Sequence, residues 1–153
     1  MRVRGDESRE AFHAWFDGIR ATALGFATLV DGVPLGHSSY LNIRDDDRVL
    51  EIGNTWLARE AWGTGANTET KLLLMEHAFE HEGFLRVEFK TDAKNERSRA
   101  ALAGLPAEFE GVFRKHMLVR GGERRDSAWY AVIDDDWPGV KAALREQLAR
   151  KAI

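Results

Sequence analysis

Trp62-Gly63-Thr64-Gly65-Ala66-Asn67-Thr68-Glu69 is the stretch on which the reading of this chain turns. It follows residues 49–57, the most apolar strand-like run, and opens a helical pattern that spans residues 67–82. In that pattern Leu72, Met75 and Phe79 form one stripe, widened by Leu74 and Ala78, with Glu69, Glu76 and Glu80 opposite. Leu73 falls on the polar side and is expected to be partly covered. Glycines at a strand-to-helix junction let backbone N–H groups point into a shared space, where the helix dipole adds partial positive charge. A phosphate or pyrophosphate suits that geometry, although an ordinary turn uses the same residues. The loop is not a Walker A loop, because Gly65-Ala66-Asn67 stands where Gly-Lys-Ser/Thr is needed. Nor is it a dinucleotide fingerprint, since Thr68 occupies the place of the third glycine.

Working outward, Asp6 or Ser8 can cap a helix whose apolar side is Phe12, Trp15, Phe16 and Ile19. Residues 25–30 read as a strand, Asp31-Gly32 as a hairpin turn and residues 35–43 as the returning strand. Asp45-Asp46-Asp47 is a solvated turn with too few converging ligands for a metal. Beyond the central helix, Gly83 is placed to end it in a left-handed conformation. Residues 86–91 then alternate as a half-buried strand, and residues 95–103 form a short helix with Asn95 as its cap. Residues 112–120 and 127–133 pair around Gly121-Gly122, and Pro138 starts a last helix with Val140, Ala143, Leu144 and Leu148 inward. The expectation is a mixed α/β (α+β) fold in a single domain over residues 1–153.

Twenty-two basic against twenty-five acidic residues give a net charge of -3, which argues against a nucleic-acid binder. The absence of cysteine removes disulfides, thiolate metal sites and cysteine nucleophiles. No apolar run is long enough to span a bilayer, and Met1-Arg2-Val3-Arg4-Gly5 does not start a signal peptide. A cytoplasmic protein with no membrane or metal partner is expected.

Three segments carry a family resemblance. They are Glu51-Ile52-Gly53-Asn54-Thr55-Trp56-Leu57 with the glycine loop, Arg86-Val87-Glu88-Phe89-Lys90-Thr91-Asp92, and Asn95-Glu96-Arg97-Ser98 followed by Glu110-Gly111-Val112. Together they resemble the GNAT acyl-CoA N-acyltransferases, on the RimJ/RimL-like branch whose named members acetylate N-terminal amines of ribosomal proteins. The resemblance implies a mixed central sheet flanked by helices. It also implies transfer of acetyl from acetyl-CoA to a primary amine, on a protein N-terminus or a small molecule, by direct attack in a ternary complex.

By the same resemblance, Leu57 and Ala58 offer backbone groups to the pantetheine amides, and Trp62, Gly63, Thr64, Gly65, Ala66 and Asn67 wrap the pyrophosphate. Asn95 hydrogen-bonds the pantetheine arm, and Ser98 protonates the leaving thiolate. The chain departs from the family in several places. It begins after the point where relatives carry a first strand and helix, and the bare edge at residues 25–30 is expected to be covered in a homodimer. Glu60 stands where the wider family has Gln or Arg, and Pro106 replaces a glycine, so that Gly104 is expected to stop the short helix. Met117 occupies the position of a glutamate proposed as the base. Glu51 is the best replacement, with a structural salt bridge as its alternative reading; His37 and His116 are weaker candidates. From a different class comes a catalytically idle acyl-CoA-binding or regulatory domain.

Overall fold

A computed structural model describes residues 8–151, the side chain of residue 120 excepted. Its elements run α1 (Arg9–Thr22), β1 (Leu24–Val30), β2 (Val33–Arg44), β3 (Val49–Leu57), α2 (Ala66–Glu76), β4 (Arg86–Asp92), α3 (Glu96–Ala103), β5 (Glu108–Val119), β6 (Glu123–Ile133) and α4 (Trp137–Lys151). The strands form one sheet in the order β1-β2-β3-β4-β6-β5. β3 and β4 are its one parallel pair, which is what a helical crossover through α2 produces. This is the mixed, helix-flanked sheet the sequence implies.

Local chemistry sets the connections. Asp31 (φ 51°) and Gly32 (φ 78°) both adopt left-handed backbone, the twist that a two-residue hairpin between β1 and β2 requires. The hydroxyl of Ser8 accepts from the amide of Ala11 at 3.2 Å and caps α1; Asp6 lies outside the described residues. Gly83 (φ 69°) ends the central helical segment, and the Phe84 amide returns to the Ala78 carbonyl at 2.9 Å. Gly104 does stop α3, but at φ −77°, so its glycine freedom is not used. Pro106 shortly beyond cannot extend a helical hydrogen-bond ladder.

Adjacent residues of a strand face opposite sides, and the two faces of this sheet differ. α2 and α4 cover the apolar side, where Leu50, Ile52, Val87 and Phe89 meet Leu72, Met75, Trp137 and Leu144. α1 lies on the other side, its Phe16 ring 5.9 Å from that of His37. Within the expected stripe of α1 only Ile19 is buried.

The helix expected over residues 67–82 is not uniform. It is α-helical to Glu76 and then widens into a π turn over His77–His81. Tertiary bonds hold the widened segment: the Tyr40 hydroxyl donates to the Leu74 carbonyl at 2.6 Å, and the Trp137 indole donates to Glu80 at 2.7 Å. Leu73, expected to be partly covered, is 57 % exposed among the described residues.

The feature that positions the site is a break in pairing. β3 and β4 pair at Val49–Arg86, Leu50–Val87 and Glu51–Glu88, and no further, although β3 runs on to Leu57 and β4 to Asp92. Past Glu51 the register of β3 against β2 also shifts, with Asn54 at φ 49° inside the irregularity. Such a bulge bends its strand.

Tyr40 offers a test of the π turn. Tyr40→Phe leaves the packing in place and removes one buried donor, and the unfolding free energy should fall by about 1–2 kcal/mol in urea denaturation. An unchanged value would mean that the Leu74 carbonyl is satisfied without the hydroxyl.

Candidate functional site

The glycine loop stands at the mouth of the gap between β3 and β4. A 3-10 turn, Arg59–Ala61, leads into it, and Gly63 turns the chain at φ 73°. The Thr64 hydroxyl donates to the Ala61 carbonyl (2.8 Å) and accepts from the Ala66 amide (3.1 Å), which braces the turn into α2, whose N-cap is Gly65. The first bond of the helix runs from Glu69 to the Gly65 carbonyl at 2.9 Å. The amides of Asn67 and Thr68 lie ahead of it, in the turn that helix geometry leaves without intrahelical partners. Asn67 Oδ1 is buried with no hydrogen-bond partner among the described residues. Gly65 has a packing reason to be glycine, because a Cβ there would meet Leu148 at 3.0 Å.

Cations surround this turn. The guanidinium of Arg97 stacks 3.8 Å from the Trp62 ring centroid, Arg59 lies 5.7 Å from it, and Lys151 donates to the Thr64 carbonyl at 3.3 Å. Glu60, exposed on the 3-10 turn, is the loop's opposing charge. First-turn amides and several cations fit a phosphorylated ligand; the Asn67 Oδ1 acceptor is not part of that fit, since it calls for a donor.

Two backbone groups expected to meet a pantetheine arm are already engaged. The Leu57 carbonyl accepts from the Trp62 indole at 2.8 Å, and the Ala58 amide donates to the Leu35 carbonyl at 2.7 Å. Asn95 caps α3, its Oδ1 accepting from the Ser98 amide at 3.1 Å, which leaves its NH₂ to donate elsewhere. Ser98 is half-buried. The Arg97–Trp62 stack ties α3 to the loop across the gap.

Glu51 is buried on the opposite face of the sheet from α2, with Lys90 at 2.9 Å and the Asn42 amide at 2.7 Å, both on Oε2. The sequence did not signal Lys90 as the partner. His116 shares this face: its Nδ1 is 3.0 Å from the Ser127 hydroxyl, and its ring meets Trp129 edge-on at 5.4 Å. Burial pushes the His116 pKa down, helped by Lys90 and Arg125 and opposed by Glu51. Trp129 also stacks under Lys90 at 5.3 Å, with its indole nitrogen buried and unpartnered. His37 sits elsewhere, bonded to the Asn54 carbonyl (3.1 Å) and the Ser39 hydroxyl (3.4 Å). Met117 lies half-buried opposite Arg125 on β6 and has no proton to exchange.

Sequence reading missed Lys71. It is 4 % exposed, and its amine donates to the hydroxyls of Thr55 (2.5 Å) and Ser38 (3.3 Å), 6.0 Å from the Phe89 ring centroid. The signal was available, because Lys71 precedes Met75 by one helical turn and therefore shares the buried stripe. Burial alone pushes its pKa down to about 7 from 10.5. Between those values the unfolded chain keeps a proton that the folded chain has released, so this group makes stability rise with pH. Urea titrations of wild type and Lys71→Met should differ most below pH 7. The gap should narrow toward pH 10 by up to about 1.4 kcal/mol per pH unit. A gap that stays constant would place the amine in water.

The family of GNAT acetyltransferase domains matches residues 1–105. No curated protein matches the chain. Among solved structures, a T. thermophilus protein designated an acetyltransferase is 39% identical with a TM-score of 0.86, over 92% of this chain and 76% of its own. A GCN5-related N-acetyltransferase from Brucella melitensis is 32% identical with a TM-score of 0.85, over 92% of this chain and 65% of its own. Mycobacterium smegmatis RimJ, solved with CoA-disulfide, is 25% identical with a TM-score of 0.75, over 93% of this chain and 69% of its own. The parted parallel strands, the helix that starts at the mouth of their gap and these matches agree: the chain belongs to the GNAT acetyltransferase family.

Proposed function

We propose that this protein is an N-acetyltransferase that moves the acetyl group of acetyl-CoA to a primary amine, on a protein N-terminus or a small molecule. The observation that carries the reading is the gap between β3 and β4 with the unfilled first turn of α2 at its mouth. A CoA pyrophosphate suits the amides of Asn67 and Thr68, with Arg59, Arg97 and Lys151 nearby to balance its charge. Its pantetheine arm would run into the gap, where strand edges offer unpaired backbone groups, and past the free NH₂ of Asn95.

The chemistry is a single displacement. The acceptor ammonium first loses a proton, and Glu51 is assigned that proton, its carboxylate fixed by Lys90 and Asn42 on the face shared with His116. The amine lone pair then attacks the thioester carbonyl and forms a C–N bond and an oxyanion. Collapse breaks the C–S bond, the thiolate takes a proton from Ser98, and the proton shed by the new amide nitrogen restores the Ser98 hydroxyl. No covalent enzyme intermediate is needed. The resemblance to the RimJ/RimL-like branch supports an N-terminal amine as acceptor, and Mycobacterium smegmatis RimJ is among the similar structures.

Gly63 gives a controlled test of the cradle. Gly63 and Gly32 share left-handed backbone (φ 73° and 78°), and nothing lies within 4 Å of a Cβ built on either. Gly63→Leu and Gly32→Leu therefore carry the same backbone strain. CoA should raise the melting temperature of wild type and of Gly32→Leu, and the shift should vanish in Gly63→Leu. A normal shift in Gly63→Leu would place the cradle elsewhere. Turnover with a panel of amines, read as thiol release, separates the enzyme from an idle acyl-CoA binder. In that assay Ser98→Ala should lower kcat on the order of tenfold or more, with less change in KM for acetyl-CoA. A change confined to KM would make Ser98 a binding residue.

A further inference from the structure

The amine of Lys71 reaches the sheet from α2 beside Thr55 on β3 and 6.0 Å from the Phe89 ring centroid on β4, at a level where these strands no longer pair. Its polar contacts among the described residues are hydroxyls alone. An amine taken out of water without a carboxylate beside it is destabilising. Nothing nearby would be orphaned by its removal, because the Ser38 and Thr55 hydroxyls also bond each other at 2.7 Å. The interior therefore gives no stability reason for a lysine at this position.

Counting protons gives it another reason. Ser38 is fully buried, and its hydroxyl oxygen contacts the Thr55 hydroxyl and the Lys71 amine. In its ammonium form Lys71 has no lone pair and donates to both oxygens, so the Ser38 proton can go only to Thr55. The oxygen of Thr55 then accepts twice, which uses both of its lone pairs. Its own O–H is left as the one uncommitted donor of the cluster, and Thr55 is the member exposed to solvent. Lys71 and Ser38 thus turn a residue that could donate or accept into a fixed donor on β3, beyond the last residues that pair with β4.

We propose that Thr55 contacts the ligand, donating its hydroxyl proton to the carbonyl oxygen of the bound acyl thioester, and that Lys71 is the positioning residue that enforces this polarity. The inference rests on the acyl-CoA reading and adds the point at which the chain senses the acyl group itself. CoA lacks that carbonyl, so the contact favours acetyl-CoA over CoA.

The test is calorimetric binding of acetyl-CoA and of CoA at about pH 6, where Lys71 holds its proton, without an amine acceptor, to wild type, Thr55→Val, Thr55→Ser and Lys71→Met. Wild type should bind both ligands. Thr55→Val should lose about 5- to 10-fold in acetyl-CoA affinity, the size of one hydrogen bond, and stay within about twofold for CoA. Thr55→Ser should restore the wild-type ratio. Lys71→Met should fall between wild type and Thr55→Val in that ratio while melting at a higher temperature, a combination that a merely structural lysine would not produce. An unchanged ratio in Thr55→Val, or a Thr55→Ser variant as poor as Thr55→Val, would overturn the assignment of Thr55. A wild-type ratio in Lys71→Met would overturn the role of Lys71. Failure of wild type to bind either ligand would overturn the acyl-CoA reading and this inference with it.

Discussion

The parting of β3 from β4 after Glu51 and Glu88 is the constraint on which the rest of this structure depends. Parallel strands would ordinarily continue to pair to the shorter partner's end. Here β3 is bent by a bulge at Asn54, whose carbonyl is held by the ring of His37, while β4 keeps its antiparallel partner β6 along its whole length. One strand turns and the other stays in register, so a gap opens toward the loop that begins α2. The opposite end is pinned. Arg86, on β4, bonds Glu88 at 2.9 Å and Glu110 through both guanidinium arms, and Arg44 reaches Glu88 at 3.5 Å. Glu110 in turn raises the Arg86 pKa and has its own lowered.

Polar groups are concentrated where the strands part, at some cost to stability. Glu51 and Lys90 form a pair with side chains only 3 % and 14 % exposed, and the polar partners of the Lys71 amine among the described residues are hydroxyls. Pairs of this kind are seldom net stabilising, because desolvation offsets most of the Coulombic gain. The apolar face beneath α2 and α4 supplies the compensating burial, with Leu50, Met75, Val87 and Leu144 fully buried. Burial is thus separated from chemistry by the faces of one sheet, and the Lys71 cluster is the place where polar groups enter the core.

What the sequence made legible was local. The Asp31-Gly32 turn, the Ser8 and Asn95 caps, the left-handed Gly83 and the span of β3 all follow from residues close together in the chain. The glycine loop could be read as a junction of strand and helix for the same reason. Pairing between distant residues could not. Nothing near Glu51 announces Lys90, and nothing in β3 or β4 tells how many of their residues pair. The π turn depends on Tyr40 and Trp137, from other elements, and so left no periodic trace in the helix pattern. The bonds that the Trp62 indole makes to the Leu57 carbonyl and the Ala58 amide makes to the Leu35 carbonyl likewise arise only in the fold. Lys71 was the one miss that periodicity could have prevented, since a lysine on a stripe with Thr68, Leu72 and Met75 is a charge facing the core.

The central claim is that the gap between β3 and β4 is an acyl-CoA slot, and an experimental structure of the acetyl-CoA complex tests it most directly. The account predicts the pyrophosphate against the amides of Asn67 and Thr68, with the pantetheine arm lying between β3 and β4 beyond Glu51 and Glu88. Ligand bound on another surface, or β3 and β4 found paired through to Leu57 and Asp92, would contradict it.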